Sequence, residues 1–284
     1  MSSHFVPPFH PCERASDKNV HVQVGNLDDV CAAAALRAGP TSVRVDHDTA
    51  VKDVYTFGGQ LGAGMQGVVF EGTHKVTGER VAIKSTHIGP FAGAGTRAAA
   101  YTELETLSHM HHPNVLRLMG AYQCPTELNL VLTHIDGYML IRYLVEVEKE
   151  GHSQVEEAKE KHMLLKQLVD AVGHIHANGV VYRDLQPKNI MVSRSRPRVL
   201  TVIDFGRAIH LDRSDRIDKA RPMGTSLFQA PEVEKRAAYG QQADMWAVGV
   251  VMYLLISGKM AFAHSVSGLY KAGPGTLAAQ SDSI

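Results

Sequence analysis

The sequence predicts an α+β protein: a small antiparallel β lobe with one helix, followed by a larger, mostly helical lobe. Three observations predict it. Between Tyr55 and His134, short runs of β-branched and apolar residues alternate with glycine turns. After Gly137 the apolar residues change to helical spacing. At 284 residues the chain is long enough for one large or one two-lobed domain with a sizeable core.

The elements follow in order. Residues 1–52 have mixed composition, and Pro7, Pro8 and Pro11 break any early helix. A short helix is expected at Leu27–Ala38, ended by Gly39-Pro40, inside a poorly ordered extension with no visible function. Tyr55–Gly62 and Val68–Gly72 read as strands around a glycine turn, and Arg80–Ser85 as the next. Thr96–His109 reads as a helix with Tyr101, Leu104 and Leu107 on one face, and Val115–Tyr122 and Leu128–His134 as further strands. Glu157–Ala177 is expected as a long helix with apolar residues at 164, 165, 168, 169, 172 and 175, closed by Gly179. Val199–Ile203 is a short strand, and 207–229 is a long polar segment with few structure signals. Asp244 stands where a cap for an apolar helix over 245–256 is expected.

Composition excludes several classes. Lys+Arg and Asp+Glu are both 29, which argues against dominant electrostatic binding to nucleic acid or an anionic membrane. Cys12, Cys31 and Cys124 lie far apart with no C-x-x-C, so a disulfide framework is not expected and a reducing, cytoplasmic setting is. No apolar leader or myristoylation glycine opens the chain, and Met245–Ile256 is shorter than the ~20 residues of a membrane span. His109, His111 and His112 suggest a metal cluster, but no cysteine or carboxylate set completes a tetrahedral zinc site.

Chemistry concentrates in a few motifs. Gly62-Ala-Gly64-Met-Gln-Gly67-Val-Val69 is a G-x-G-x-x-G-x-V element, whose glycines let a hairpin approach phosphates with N–H groups facing them. Alone it reads equally as a hairpin turn; a dinucleotide site needs the motif to open a helix, whereas Val68-Val69-Phe70 continues as a strand. Val81-Ala-Ile-Lys84 puts a lysine among apolar strand residues, which in isolation is a snorkelling surface lysine. Tyr182-Arg-Asp184-Leu-Gln186-Pro-Lys-Asn189 sets an aspartate five residues before an asparagine, and Asp204-Phe205-Gly206 begins fifteen residues later. Taken singly, Asp184, Asn189 and Asp204 read as turn or capping residues.

Together these motifs resemble the protein kinases. Gly224-Thr225 to Ala230-Pro231-Glu232 resembles the end of a Ser/Thr kinase activation loop, and Asp244-x-Trp246-x-x-Gly249 the helix that anchors the catalytic loop. Small-molecule kinases share the Asp…Asn and Asp elements but usually lack the Ala-Pro-Glu segment. The resemblance covers residues ~53–262 and looks closest to the calcium- and calmodulin-dependent type, from Val54–Gly58 and Leu254–Gly258. No EF-hand loop is present.

The resemblance implies a bilobal protein-kinase-like fold: residues 1–52 an extension, 53–135 the small lobe, 136–284 the large lobe, truncated. It implies ATP between the lobes and Mg²⁺ on Asn189 and Asp204. Lys84 holds phosphates and pairs with a helix glutamate, Glu103, with Glu105 as rival on another face. Leu61, Gly62, Gly64, Gly67, Val69, Ala82 and Met191 surround the nucleotide, with Leu132 behind the adenine and Thr133–Ile135 as hinge. Asp184 accepts the proton of a protein hydroxyl, and Thr225 beside it favours Ser/Thr acceptors over Tyr. Leu107, Leu118, Tyr182 and Phe205 fall at positions of an inter-lobe spine or are ordinary core. The non-catalytic rival is an ATP-binding pseudokinase or scaffold.

Four departures qualify the resemblance. Gln186 stands where a lysine usually contacts the γ-phosphate; losing one preorganised donor costs about 3–4 kcal/mol, and glutamine, which keeps a donor without the charge, should cost less. The family's later helices are missing, and no arginine follows Arg236 to pair Glu232, so a partner chain completing the large lobe is one expectation and an incomplete gene product another. Arg221 takes the usual phosphothreonine position, leaving Ser214 as the one hydroxyl between Gly206 and Thr225. Met139 and Lys188 replace glutamates that read substrate arginines.

Overall fold

The computed structural model describes residues 45–64, 66–149, 153–211, 217 and 226–262, with the backbone of three short strands beyond. The expected Leu27–Ala38 helix and the segment with Ser214, Arg221 and Thr225 lie outside the described residues. The chain divides into two compact units, one from Met1–Ala100 and Leu118–His134, the other from Tyr101–Arg117 and Ile135–Ile284.

The first unit is built on a six-stranded sheet. Its strands are β1 (Val45–Asp46), β2 (Tyr55–Gly64), β3 (Gly67–His74), β4 (Arg80–His87), β5 (Leu118–Gln123) and β6 (Glu127–Thr133), in the spatial order β1-β5-β6-β4-β3-β2. All neighbours are antiparallel except β1 with β5. Alternation along β4 explains the core. Val81 and Ile83 are fully buried with Val51, Tyr55 and Val131, while Ala82 and Lys84 take the opposite face. Gly72 is required there, since a Cβ on it would meet Ile83 Cδ1 at 2.6 Å. Val51, on the single-turn helix α1 (Val51–Val54), belongs to this core, and β1 extends the sheet edge, so both expected extension residues and sheet share one fold.

The second unit is mostly helical. Helix α2 (Ala94–Ser108) crosses from one unit to the other at Ala100 and Tyr101. The strand expected from Val115 begins at Leu118; Val115 instead bridges Val202, and Leu116 N–H donates to the Val202 carbonyl at 2.9 Å. After β7 (Gly137–Met139) come α3 (Leu140–Lys149) and α4 (Gln154–Ala177). Helix α4 starts three residues earlier than expected because Ser153 and Glu156 form a reciprocal capping box. Leu164, Leu168, Ala171, Val172 and Ile175 bury one stripe, whereas Val169, expected on that face, is exposed. Gly179, at φ 71°, follows the helix end as expected.

Short strands β8 (Val180–Val181), β9 (Ile190–Ser193), β10 (Leu200–Val202) and β11 (Ile209–His210) frame the loops, with β7, β9 and β10 in one sheet and β8 paired to β11. The polar segment after Gly206 therefore holds some order: β11 is in it, and Ile217 exchanges two backbone hydrogen bonds with Tyr239. The turn helix α5 (Pro231–Glu234) precedes α6 (Gln242–Ser257), which ends at Gly258 in a left-handed conformation. Beyond it, β12 (Lys259–Met260), β13 (Ser265–Val266), β14 (Leu269–Tyr270) and β15 (Gly275–Thr276) form two small ribbons. No described helix is both long and apolar enough to cross a membrane.

Candidate active site

In the first unit the glycine motif forms the turn of the β2–β3 hairpin, with Gly62 opposite Val69 and Gly64 opposite Gly67. Gly67 sits at φ 141°, and a Cβ there would collide with the Ser85 carbonyl, so β4 backs closely onto the turn. Thr86 Oγ1 donates to the Gln66 carbonyl at 2.7 Å, and Lys84 Nζ donates to Gln66 Oε1 at 3.1 Å. Lys84 is buried, unlike a snorkelling surface lysine. Cross-strand pairing sets Val69 beside Lys84, and Ala82 beside Leu132. These four expected residues thus share one face of the sheet, opposite the Val51 core. Thr133 pairs with Val81 and points its side chain to the other face, so its contribution to a ligand on the Lys84 face is backbone. Leu61 is exposed at the hairpin.

In the second unit the loop from Tyr182 to Asn189 is held from below by α6. Asp244 was expected to cap that helix, but it lies within its first turn, buried, and the residue before the helix, Gln241, makes no side-chain cap. Its carboxylate accepts instead from the backbone N–H groups of Tyr182 and Arg183, both at 2.8 Å, and from His176 Nε2 at 2.8 Å. Three donors satisfy a carboxylate that is only 2% exposed. Tyr182 donates its hydroxyl to the Ile203 carbonyl and meets Phe205 edge-on at 5.0 Å. Burial, with the charges of Asp204, Asp184, Glu103 and Asp244, drives the Tyr182 phenol well above its ordinary pKa, so it stays a donor.

Asp184 is buried, and its two oxygens are held differently. Oδ1 accepts from Gln186 Nε2 and lies 3.5 Å from Arg207 Nη1; Oδ2 accepts from Asn189 Nδ2 at 2.9 Å. Burial raises the carboxyl above its ordinary pKa, while Arg207, the Asn189 hydrogen bond and Lys188 pull it back. Oδ2 carries one donor and keeps a lone pair for a proton. Asn189 Nδ2 also donates to the Asp184 carbonyl at 2.9 Å, which leaves Asn189 Oδ1 as its atom for a cation. Asp204 adopts φ 60° and accepts from Gly206 N–H at 3.4 Å. An amide oxygen and a carboxylate suit a hard divalent ion such as Mg²⁺, which takes few protein ligands.

Met191 is half-buried on β9, opposite Met139 and Thr201. Ile135 is half-buried and belongs to the second unit, as does Glu103, buried on α2. Lys84 and Glu103 therefore fall in different units. Thr225 lies outside the described residues. Sequence reasoning missed Arg207 and Gln66; the signals were a cation directly after Asp-Phe-Gly and an amide inside the glycine motif. His112 stacks on His174 at 5.0 Å, and among the described residues no group of three or more His, Cys, Asp or Glu could hold a metal.

A glycine hairpin beside a lysine-bearing strand in one unit, and an Asp–Asn–Asp set on loops in the other, define the kinase class of domain. The chain belongs to the protein kinase family, because residues 55–273 match the protein kinase domain. It is similar to calcium-dependent protein kinase 1 of Oryza sativa subsp. japonica, 33% identical over 225 residues, or 78% of this chain and 42% of that protein. It is similar to myosin light chain kinase A of Dictyostelium discoideum, 31% identical over 211 residues, 74% of this chain and 68% of that one. It is also similar to serine/threonine-protein kinase 33 of Mus musculus, 29% identical over 272 residues, 90% and 54%. The chain spans about half the length of such relatives.

Proposed function

We propose that this chain is a protein serine/threonine kinase that transfers the γ-phosphoryl group of Mg·ATP to a protein hydroxyl. The observation that carries the reading is the state of Asp184: a buried carboxylate with Oδ1 occupied by donors, Oδ2 open to a proton, and its loop tied to buried Asp244. Phosphoryl transfer asks for positioning and charge stabilisation rather than covalent chemistry, and this arrangement offers the first.

The acceptor oxygen forms a bond to the γ-phosphorus, the bond to the bridging oxygen of ADP breaks, ADP leaves, and the hydroxyl proton passes to Asp184 Oδ2. Asn189 Oδ1 and Asp204 are the atoms to hold Mg²⁺, which when bound neutralises charge on the phosphate oxygens. Lys84 exchanges Gln66 Oε1 for phosphate oxygens, and Glu103 keeps the role its motif implies. On the first unit Val69, Ala82 and Leu132 offer an apolar surface for the base, with Leu61 and the Thr133 backbone on the same sheet; Met191 and Ile135, on the second unit, keep the roles that the resemblance implies. Thr225 keeps its assignment beside the acceptor.

Met139 is 41% exposed and Lys188 is exposed beside the base, so the acceptor segment meets a thioether and a cation. A peptide-library profile should show no enrichment of arginine upstream of the acceptor; dominant upstream arginine contradicts this. Partners are protein substrates, with no role for nucleic acid or membrane, and a cytoplasmic setting fits the scattered cysteines. Melting with and without Mg·ATP tests nucleotide binding. Transfer of labelled γ-phosphate tests the activity itself; a folded chain that binds Mg·ATP and transfers nothing is a scaffold instead.

A further inference from the structure

Phosphoryl transfer places negative charge next to the base, and sites that catalyse it hold fixed positive charge there. Two residues beyond Asp184 this chain has a neutral side chain. Gln186 is buried, 3% exposed, and its Nε2 donates to Asp184 Oδ1. That same oxygen faces a second donor, Arg207 Nη1, at 3.5 Å. Arg207 directly follows the Asp204-Phe205-Gly206 turn, and its backbone is fixed, because Arg183 Nε donates to the Arg207 carbonyl at 2.6 Å. Arg183 itself is tied through its N–H to Asp244. Among the described residues, Asp184 is the one ion-pair partner of Arg207. Lys188, the other nearby cation, is exposed and makes no ion pair with Asp184.

From this geometry we propose that Arg207 is a positioning residue for the transfer reaction, holding Asp184 Oδ1 jointly with Gln186 and supplying the fixed positive charge that position 186 lacks. The proposal rests on the kinase reading above. With two donors on Oδ1, the carboxylate is turned so that Oδ2 takes the hydroxyl proton. The charge reaches the site through the Asp-Phe-Gly turn instead of through the loop that carries the base. Because Gln186 and Arg207 converge on one oxygen, a cation introduced at 186 should replace the one removed at 207. A long, flexible ammonium in place of the guanidinium should replace it only in part.

The test uses the full chain and measures kcat, KM for ATP and the melting shift with Mg·ATP. Arg207→Leu should lower kcat roughly tenfold or more, up to the ~10²–10³ seen on losing one preorganised donor, with KM for ATP and the melting shift little changed. Arg207→Lys should fall between Arg207→Leu and the natural chain. The double variant Gln186→Lys, Arg207→Leu should recover most of the lost kcat, which a purely structural role for Arg207 would not allow. An Arg207→Leu chain as fast as or faster than the natural one overturns the proposal, since Arg207 then idles at the base or blocks it. A slow chain whose rate the double variant does not restore overturns it as well. A natural chain that binds Mg·ATP without transfer overturns the kinase reading, and this proposal with it.

Discussion

Lys84 and Asp184 are both buried charged groups, yet the two units hold them in opposite ways. Lys84 donates to the side-chain amide of Gln66, in a glycine-rich turn that Thr86 Oγ1 bonds to from β4. Asp184 has donors on both oxygens, and the loop that carries it is bonded twice through its backbone to Asp244 inside α6. The bond from Lys84 to the turn gives way at small cost; the two bonds that hold the loop to Asp244 do not. The difference teaches where each unit spends its rigidity. The base is preorganised before anything binds, whereas the lysine's bond to Gln66 is one that a ligand can displace.

Substitutions at the two ends of this comparison should differ in size. Asp244→Ala should have the largest effect, because two backbone N–H groups and His176 lose their acceptor at a buried position. We expect about 2–4 kcal/mol lost in denaturant unfolding, together with loss of phosphoryl transfer. Unfolding within error of the natural chain would mean that the loop has another support. Gly67→Ala should come next. Its backbone lies at φ 141° and its Cβ would strike the Ser85 carbonyl, so about 1–3 kcal/mol of strain follows, read as a lower melting temperature and weaker nucleotide binding. An alanine chain with unchanged melting would show that the turn is free of β4. Gln66→Ala should have the smallest effect and the opposite sign on binding. Removing the Gln66 bond to Lys84 takes away one competitor worth about 1 kcal/mol, so KM for ATP should fall by roughly fivefold; a rise would make Gln66 a ligand contact instead.

The strands and long helices were legible because their signals are local. Alternation at Val81, Ala82, Ile83 and Lys84 is enough to split β4 into a core face and a site face, and the pairing of β3 and β6 follows that split. The long helix was legible in its stripe but not in its start, since the capping box at Ser153 and Glu156 sits before the first apolar residue. Asp244 was misread from its position alone, although the resemblance marked its helix as the anchor of the catalytic loop. An aspartate near a helix start is locally a cap, and only tertiary structure shows that loop backbone sixty-odd residues away takes its carboxylate. Arg207 was invisible on the same grounds: its meaning lies in its 3.5 Å approach to Asp184 across 23 positions of sequence. The residue types of the site were therefore readable one motif at a time, and the bonds that orient them were not.

The most direct test of the preorganised base is transfer of labelled γ-phosphate from ATP to generic protein substrates, comparing the natural chain with Asp184→Asn. The asparagine variant keeps the shape and, through its one carbonyl oxygen, the donors Gln186 and Arg207, gives up the bond from Asn189 Nδ2, and cannot take the proton. The account predicts transfer by the natural chain and a loss of roughly 10²–10⁴-fold in the variant, with melting and its Mg·ATP shift preserved. Equal transfer by both chains, or none by a natural chain that is folded and binds Mg·ATP, would contradict it.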